Sequence, residues 1–587
     1  MRILLLTHSF NSLAQRFWVE LSARGHEVSV EFDINDPITQ EAVALFRPDL
    51  IVAPYLKRAI PEAIWRTHRC IVIHPGIVGD RGPSALDWAI ADGESMWGVT
   101  ALQANAVMDG GDVWASASFP MRAATKSSLY RNEVTEAAVQ ALLETLERLR
   151  EPGFRPQPLD YSRPEVRGRP HALMRQSDRR IDWARDGTDV VLRTIRAADG
   201  SPGVRDELFG HPYRVFDAHA EEELRGATPG AVIAKRENAI CRATIDGAVW
   251  IGHLEPIAEG RPSFKLPATL ALGTAVDDVP ESPMPALQES TRSTYRDSWY
   301  ERSGAVGYLH FEFYNGAMGT RQCERLREAL VAARARPTRV LVLMGGPDFW
   351  SNGIHLNLIE ASADPAEESW RNINAMNDLA REILCTDGQL TMAALQGNAG
   401  AGGVFLALAA DRVVARRGAI LNPHYKSMGN LYGSEYWTYL LPKRVGPDAA
   451  RSITQNRLPL GAQQACDMGL IDGCFGEDRA GFVEQVRALA EQLATSPEYP
   501  SLVARKRERR LQDEAAKPLQ AYRAEELEHM KRNFWGFDPS FHVARYNFVC
   551  KVPRSRTPLY LARHRARAMS RLPERADSVG VSSPSTA

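Results

Sequence analysis

A histidine and an aspartate occupy positions from which they could carry out acid–base chemistry. His74 ends the apolar run CIVIH (70–74), and Asp109 lies in the glycine-flanked turn MDGG (108–111). An imidazole and a carboxylate brought together can move protons to and from a carbonyl group. From spacing alone, a capped strand end and a turn aspartate explain the two residues at least as well.

Two glycine-rich loops form a second group of candidate residues. The first is DFWSNGIHLNLIE (348–360), and the second is LQGNAGAGGVFLALAA (395–410). Each loop follows an apolar run and leads into a helical pattern, so each presents bare N–H groups at a helix start. Two such N–H groups that converge on one carbonyl oxygen form an oxyanion hole. Either loop alone is also explained as a tight turn that lets a helix pack on a sheet.

Alternating strand and helix patterns position the histidine. The apolar runs are RILLL (2–6), EVSVEF (27–32), DLIVAPY (49–55) and CIVIH (70–74), and helix-length segments separate the first of them. This alternation predicts a parallel sheet with crossover helices, and such sheets bind ligands at the carboxyl ends of their strands. His74 lies at such an end. The first turn, THSFNS (7–12), lacks both G-x-G-x-x-G and the P-loop pattern, so a dinucleotide site is not expected.

Composition excludes several classes of protein. The chain has 587 residues, enough for three or more domains, and its 44% apolar and 24% charged residues are ordinary for a globular protein. The net charge of −1 points to neither nucleic acid nor membrane, and no apolar run is long enough to span a bilayer. The amino-terminal apolar run is too short for a signal peptide. Seven scattered cysteines without a C-x-x-C pair predict a reducing, cytoplasmic location and no metal site.

Several motifs over about a hundred residues resemble one enzyme family. They are His74-Pro75, Arg81-Gly82-Pro83, Trp88-Ala89-Ile90, Gly98-Val99-Thr100 and Asp109-Gly110-Gly111. In this order they are similar to the 10-formyltetrahydrofolate formyltransferase and hydrolase family. The resemblance implies a 10-formyltetrahydrofolate site with His74 and Asp109 as catalytic residues. It also implies that Arg81, Gly82 and Pro83 bind the substrate.

One departure from this family concerns the formyl oxygen. The family has an asparagine two residues before its histidine, whereas this chain has Val72. An amide that would help to hold the formyl oxygen is therefore missing. Another group replaces it, or the transfer chemistry is altered or lost.

The resemblance continues beyond the first catalytic unit. MRQSDRRIDW (174–183) and RTIRAADGSPGVR (193–205) resemble the start of the formyltransferase C-terminal domain. Short β-like runs separated by frequent turns follow, a pattern that predicts a small barrel. The polar, proline-bearing stretch TAVDDVPESPMPALQESTRS (274–293) predicts a linker.

The two glycine loops together resemble the crotonase (enoyl-CoA hydratase/isomerase) superfamily. The matching stretches are WSNGIHL (350–356), QGNAGAGG (396–403) and AADRVVA (409–415). The resemblance implies a coenzyme A thioester as ligand. It also implies that the N–H groups of Ile354 and Gly402 are the oxyanion donors and that Gly353 and Gly403 bind the ligand beside them.

A hydratase activity is not expected from this second unit. The two glutamate positions of a hydratase are occupied by Phe405 and His424, and adding water to a C=C bond needs two carboxylates. Tyr425 and Glu435 are polar groups in the region that closes over the thioester in crotonases. They are the candidate catalytic residues, with ordinary loop residues as the alternative.

The combination of both units resembles the HypX/HoxX family of hydrogenase maturation factors. The resemblance implies that a formyl group passes from 10-formyltetrahydrofolate to coenzyme A and that formyl-CoA then loses CO, a ligand of the [NiFe] hydrogenase iron. Glu435 would take the formyl proton, and the maturation machinery that accepts CO would be a transient partner. Two alternatives stay open. They are a formyltetrahydrofolate hydrolase or formyl-CoA transferase fused to a different thioester activity, and a binding scaffold with degenerate pockets.

The predicted organisation is an α/β multidomain chain. The predicted parts are a formyltransferase-like parallel-sheet domain (1–165), a small β-barrel-like domain (166–273), a linker (274–299), a crotonase-like α/β domain with C-terminal helices (300–545) and a tail with a disordered end (546–587).

Overall fold

Four β-sheets organise the chain into three domains in the computed structural model, which describes residues 1–258, 260 and 262–569. The first domain is built on a six-stranded sheet, the second on an antiparallel sheet, and the third on two sheets packed with helices. The α/β multidomain class predicted from the sequence is confirmed.

The amino-terminal sheet places the first candidate site at the carboxyl ends of its strands. Its strands are β1 (Arg2–Thr7), β2 (Glu27–Phe32), β3 (Leu50–Tyr55), β4 (Cys70–His74), β5 (Met96–Gln103) and β6 (Val113–Pro120). Its helices are α1 (Ser12–Ala23), α2 (Asp36–Phe46), α3 (Glu62–Trp65), α4 (Ala85–Asp92), α5 (Lys126–Leu129) and α6 (Thr135–Arg148).

The strand order is β2-β1-β3-β4-β5-β6. The predicted parallel pairing is confirmed for β1 to β4. Strand β5, by contrast, runs antiparallel to both of its neighbours, β4 and β6. The connection between β5 and β6 is too short for the dozen or more residues that a parallel crossover needs, so the two form a hairpin.

Side-chain caps fix where the first helices begin. Asn11 accepts a hydrogen bond from the Ala14 N–H at the start of α1, and Asn35 accepts one from the Ile38 N–H at the start of α2. Asparagine is among the best residues at this position because its side chain satisfies a free helix donor. These caps direct the helices back across the sheet.

The middle domain is an open antiparallel sheet. Its elements are α7 (Thr188–Ala198), β7 (Val204–Leu208), β8 (His211–Glu221), β9 (Val232–Arg236), β10 (Ala239–Ala243), β11 (Ala248–Pro256), β12 (Leu266–Pro267) and α8 (Ala268–Leu272). The order is β7-β8-β11-β10-β9, with β12 beside β11. The described residues therefore show no closed barrel, contrary to the barrel-like expectation. The β9 edge is instead occupied by the linker, because Lys235 exchanges backbone hydrogen bonds with Pro280 and Ser282.

The carboxyl-terminal domain carries the glycine loops between two sheets. Its strands are β13 (Ser298–Ser303), β14 (Val306–Phe311), β15 (Val340–Gly345), β16 (Phe349–Ser351), β17 (Leu390–Leu395), β18 (Asn398–Gly400), β19 (Arg412–Arg416), β20 (Ile420–Asn422), β21 (Leu460–Gly461) and β22 (Gly473–Phe475). The larger sheet has the order β13-β14-β15-β17-β19-β22, and the smaller has β16-β18-β20-β21. Each glycine loop continues from a strand of the larger sheet into a strand of the smaller one.

Helices surround this pair of sheets. They are α9 (Thr320–Arg334), α10 (Leu356–Ala361), α11 (Pro365–Leu384), α12 (Gly402–Leu408), α13 (Trp437–Val445), α14 (Pro447–Asn456), α15 (Ala462–Asp467), α16 (Arg479–Thr495), α17 (Tyr499–Ala516), α18 (Leu519–Trp535) and α19 (Ser540–Val549). The last helix, α20 (Arg563–Met569), packs instead against α2 and β2 of the amino-terminal domain. Over the part of the chain that the structure describes, none of the helices has the length and apolarity needed to cross a membrane.

The segment after α19 returns to the amino-terminal domain and covers strand β2. The Val30 N–H donates to the Leu561 carbonyl at 3.0 Å, and the buried Glu31 carboxylate accepts from Arg565 at 3.0 Å and pairs with His564 at 2.9 Å. This first part of the tail is therefore packed on the sheet. The end of the tail, for which the sequence predicts disorder, lies outside the described residues from 570 onward.

Candidate active sites

The first candidate site is a histidine held between two carboxylates. His74 is the last residue of β4 and is only 4% exposed. Its Nε2 lies 2.8 Å from Asp80 Oδ1, and its Nδ1 lies 3.5 Å from Asp109 Oδ2. The structure thus brings together the two residues that the sequence singles out. It adds a third, Asp80, which makes the shorter contact.

Asp80 belongs to a relay that sequence reasoning missed. Its second oxygen, Oδ2, lies 2.8 Å from Nδ1 of His171, and its side chain is fully buried. His171 in turn stacks on Trp88. The segment around residue 170 reaches the site by pairing with the loop at Arg81. In the sequence, the one signal for Asp80 is its position in the glycine-containing loop between β4 and α4. His171 gives no such signal, because it is 91 residues away from Asp80.

The turn that carries Asp109 is anchored to the arginine–glycine loop. Asp109 has a positive φ of 51°, and its carboxylate accepts a hydrogen bond from the Gly82 N–H at 3.2 Å. Arg81 donates to the Met108 carbonyl at 3.0 Å. Arg81 and Gly82 therefore hold the aspartate turn in place beside His74, and Pro83, which follows them, is exposed. Any contact of these residues with a substrate stays a prediction.

No amide takes the place of the family asparagine at its own position. Val72 lies in β4 on the same face as His74, because strand side chains alternate. It packs against an apolar cluster of the sheet. Polar chemistry on this face is concentrated in the histidine and its two carboxylates.

The second candidate site lies where the two glycine loops meet. A methyl group built on Gly353 would lie 3.4 Å from the Gly402 nitrogen, so the loops are in contact. Gly402 begins α12, and Ile354 follows a glycine with a φ of 81°. Within the described residues, neither the Ile354 nor the Gly402 N–H donates a backbone hydrogen bond in its loop. Both are therefore available as donors.

The second loop is fixed to the first by a buried indole. Trp350 donates from Nε1 to the Gly403 carbonyl at 2.8 Å. Ser351 Oγ accepts from the Gly353 N–H at 3.1 Å. These contacts set the separation of the two loops before any ligand binds, which is the preorganisation that an oxyanion hole requires.

A buried carboxylic acid faces this pair of loops. Glu435 is 1% exposed, and its Oε2 accepts from the Tyr425 hydroxyl at 2.5 Å. A methyl group built on Gly402 would lie only 2.4 Å from Glu435 Oε1. Burial, with a smaller contribution from the charge of Glu526, raises the pKa of Glu435 to about 8. The geometry brings Tyr425 and Glu435 together and sets the acid against the loop that carries one donor.

The two histidines near this site are neutral. Burial lowers the pKa of His355 to about 3 and that of His424 to about 4. His355 Nδ1 accepts from the Leu358 N–H at 3.3 Å, so it caps α10. Phe405 is fully buried and stacks on Tyr425 with ring centroids 5.4 Å apart. The position of a hydratase acid is thus filled by a ring that supports the tyrosine.

We expect Gly402→Ala to stop the chemistry of the second site while the protein stays folded. Its backbone φ does not require glycine, but the added methyl group would displace the Glu435 carboxylate. A misplacement of about 1 Å can cost on the order of 10²-fold in rate. The measurement is the turnover of a formyl thioester together with the melting temperature. Normal turnover would show that Glu435 does not act from its observed position.

The amino-terminal domain contacts the second site directly. Asp348, immediately before β16, accepts hydrogen bonds from Ser128 at 2.7 Å and from Asn132 at 3.0 Å. Arg131 forms an ion pair with the same carboxylate at 3.0 Å. These contacts come from α5 and from the π-helical segment Tyr130–Val134 that joins α5 to α6. They join the first domain to the start of the first glycine loop.

Sequence profiles of known families match each part of this arrangement. The Formyl transferase profile matches residues 29–146, the Formyl transferase, C-terminal domain profile matches 173–263, and the Enoyl-CoA hydratase/isomerase profile matches 309–535. The methionyl-tRNA formyltransferase of Desulfotalea psychrophila is 28% identical over 39% of this chain and 70% of its own length. The fold and its two sites therefore define a formyltransferase unit joined to an enoyl-CoA hydratase-like unit.

Similarity over the whole chain is more specific. Hydrogenase maturation factor HoxX of Bradyrhizobium diazoefficiens is 53% identical over 99% of this chain and 100% of its own length. The crystal structure of HypX from Aquifex aeolicus in complex with tetrahydrofolic acid is 48% identical and superposes with a TM-score of 0.93, covering 96% of this chain and 99% of that one. The chain belongs to the HoxX/HypX family of hydrogenase maturation factors.

Proposed function

We propose that the protein makes CO in two steps, by formyl transfer from 10-formyltetrahydrofolate to coenzyme A and then by decarbonylation of formyl-CoA. The observation that carries the proposal is the buried Glu435 carboxyl against Gly402, in a hydratase-like site without the two hydratase acids. The tetrahydrofolic acid bound in the relative from Aquifex aeolicus supports a folate substrate. CO would be delivered to the machinery that matures the hydrogenase.

In the first step the formyl C–N bond breaks and a C–S bond forms. The sulfur of coenzyme A attacks the formyl carbon and its thiol proton is released, while the folate nitrogen leaves as an amine and takes up a proton. His74 is the proton donor to that nitrogen. Asp80 orients the ring through the 2.8 Å contact, and Asp109, on the other side, stabilises the cationic form.

In the second step the formyl group loses its proton and its bond to sulfur. The N–H groups of Ile354 and Gly402 hold the formyl oxygen, and losing one such donor typically costs about 10²–10³ in rate. Glu435 accepts the formyl proton, the electrons of the C–S bond go to sulfur, and CO leaves. The thiolate then takes up a proton, with Tyr425 positioned to support Glu435 throughout.

Water would divert this reaction, because it hydrolyses formyl-CoA to formate. The fully buried Phe405 removes a polar group at the hydratase position, and its ring fills that space against Tyr425. A dry site also strengthens the electrostatic interactions of Glu435.

The test is incubation of the protein with 10-formyltetrahydrofolate and coenzyme A, with CO, formate and formyl-CoA all measured. CO as the main product supports the proposal. Formate or formyl-CoA alone would instead support a hydrolase or transferase with another thioester activity. No turnover and tight binding of both ligands would support a scaffold.

The release of CO from supplied formyl-CoA should rise with pH, with a midpoint near 8. Burial raises the pKa of Glu435 to about 8, and a base must be unprotonated to act. The activity is therefore lost as the pH falls through that value. Single-turnover CO release measured on both sides of the midpoint checks this. A rate that stays flat across the midpoint would argue against Glu435 as the base.

A further inference from the structure

The loop that carries Glu435 has an unfavourable backbone conformation. Glu435 and Tyr436 are consecutive residues with φ of 60°. The left-handed region is disfavoured for residues that have a Cβ, so two in succession need support from their surroundings. Helix α13 begins directly afterwards, and its cap residue Tyr436 offers no side-chain hydrogen bond to the helix start.

The missing support comes from Glu526 on α18, 91 residues away in the sequence. Its Oε2 accepts from the Tyr436 N–H at 3.0 Å and from Ser434 Oγ at 3.2 Å. Its Oε1 accepts from the N–H of Thr438 at 2.9 Å and from the hydroxyl of the same residue at 2.5 Å. The carboxylate is fully buried, and all four donors belong to residues 434–438.

Two further residues on the same face of α18 hold the preceding part of the loop. Met530 accepts from the Gly433 N–H at 3.1 Å, and Asn533 accepts from the Tyr432 N–H at 3.0 Å. Together with Glu526 these residues have the spacing i, i+4, i+7, which places them along one side of a helix. One side of α18 therefore fixes the backbone of residues 432–438 through hydrogen bonds.

A side chain from a second helix fixes Glu435 itself. Asn377 on α11 accepts from the Glu435 N–H at 2.7 Å, and its Oδ1 lies 3.0 Å from Ser434 Oγ, so it shares the single Ser434 hydroxyl proton with Glu526. With the Glu435 backbone held from both helices, its carboxyl points toward Tyr425 and Gly402.

We infer that Glu526 is a positioning residue for the second reaction, which holds the Glu435 carboxyl against the oxyanion loop. The inference rests on the proposed function, because it assigns to Glu526 a role through Glu435. The hydrogen bonds of Glu526 go to residues 434–438 and not to the glycine loops. A neutral side chain of the same shape at position 526 would fill the space, but it would change the position of the Glu435 carboxyl and the charge beside it.

The effect on proton affinity follows from the charges around Glu435. The groups that face it are Glu526 from α18, the Tyr425 hydroxyl from its own loop and the Cys323 thiol from α9. Burial raises the pKa of both Tyr425 and Cys323, so these two stay neutral. Burial raises the pKa of Glu526 to about 7, so Glu526 is mostly ionised at the pH where Glu435 titrates, and its loss should lower the pKa of Glu435. A base with a lower pKa is unprotonated at lower pH.

The test compares Glu526→Gln with Glu525→Gln, each in the full-length protein with supplied formyl-CoA. Glu525 is the adjacent residue, is exposed and forms its ion pair with Lys517, so the second variant makes the same chemical change without removing a hydrogen bond to residues 432–438. In Glu526→Gln the amide replaces an acceptor with a donor that faces a backbone N–H. We expect kcat for CO release to fall about 10²-fold, because the base is misplaced. KM should stay near normal, and the pH midpoint should move to lower pH.

A residue with a purely structural role would lower the amount of folded protein without moving the pH midpoint. An unchanged kcat, or a lower kcat with an unmoved midpoint, would overturn the inference. If Glu526→Gln does not fold, Thr438→Val removes one of the four donors at nearly constant volume and should give a smaller change in kcat. Glu435→Gln and the wild-type protein, measured alongside, separate a failure of the proposed function from a failure of this inference. If the wild-type protein releases no CO, the proposed function fails. If Glu435→Gln keeps full activity, Glu435 is not the base; if it loses activity while Glu526→Gln does not, only the inference about Glu526 fails.

Discussion

Replacing Glu435 by glutamine should lower the release of CO from formyl-CoA by a factor of about 10²–10⁴, the usual contribution of a positioned acid–base group. The amide keeps the size and the hydrogen bond to Tyr425 but cannot accept the formyl proton. Binding of coenzyme A should stay near normal, because the glycine loops are unchanged. In the complete reaction formyl-CoA should accumulate.

The measurement is single-turnover CO release from formyl-CoA, with a deuterated formyl group as a second probe. A slower deuterated reaction in the wild type would show that C–H cleavage limits the step. Glu484→Gln is the matched control, since this side chain is exposed on α16 of the same domain. Wild-type CO release by Glu435→Gln would remove this residue from the mechanism. His355 and His424 would be the remaining titratable groups, and both are poor bases because burial lowers their pKa.

The sequence predicts the parts of each site that lie within single loops. His74 at a strand end and the glycine-flanked Asp109 can be recognised from motifs, and they lie 3.5 Å apart in the structure. The resemblance to crotonases points to the N–H groups of Ile354 and Gly402 as oxyanion donors, and over the part of the chain that the structure describes neither donates a backbone hydrogen bond in its loop. These features depend on local backbone geometry, which short sequence motifs can predict.

The supporting residues could not be found in this way. Asp80 and His171 are 91 residues apart, and their contact depends on how a segment after the first domain folds back over the loop. Glu526 has the ordinary appearance of a charged helix residue, and only the tertiary structure shows that it is buried. The middle sheet stays open for a similar reason, because the linker occupies the edge that would have closed a barrel. Long-range packing decides all three.

The sequence also leaves open how the two halves meet. The ion pair between Arg131 and Asp348 joins residues that no motif connects. It places the start of the first glycine loop against the formyltransferase-like domain. Separate active sites in contacting domains should be separable by mutation, provided that a substitution at one does not disturb the interface.

His74→Ala should abolish formyl transfer from 10-formyltetrahydrofolate while leaving the conversion of supplied formyl-CoA nearly intact. His74 is the proposed proton donor to the folate nitrogen, so its loss should slow transfer by about 10²–10⁴. Its contacts are with Asp80 and Asp109 in the same domain, whereas Ile354, Gly402 and Glu435 belong to the carboxyl-terminal domain.

Two assays on one preparation test this division. CO is measured first from 10-formyltetrahydrofolate with coenzyme A and then from formyl-CoA alone. His211→Ala is the control for loss of an imidazole, because this side chain is exposed in the middle domain. It should leave both assays unchanged. If His74→Ala also stopped CO release from formyl-CoA with the protein still folded, the two sites would not be independent. The sequential mechanism would then have to give way to one in which the histidine acts on the thioester itself.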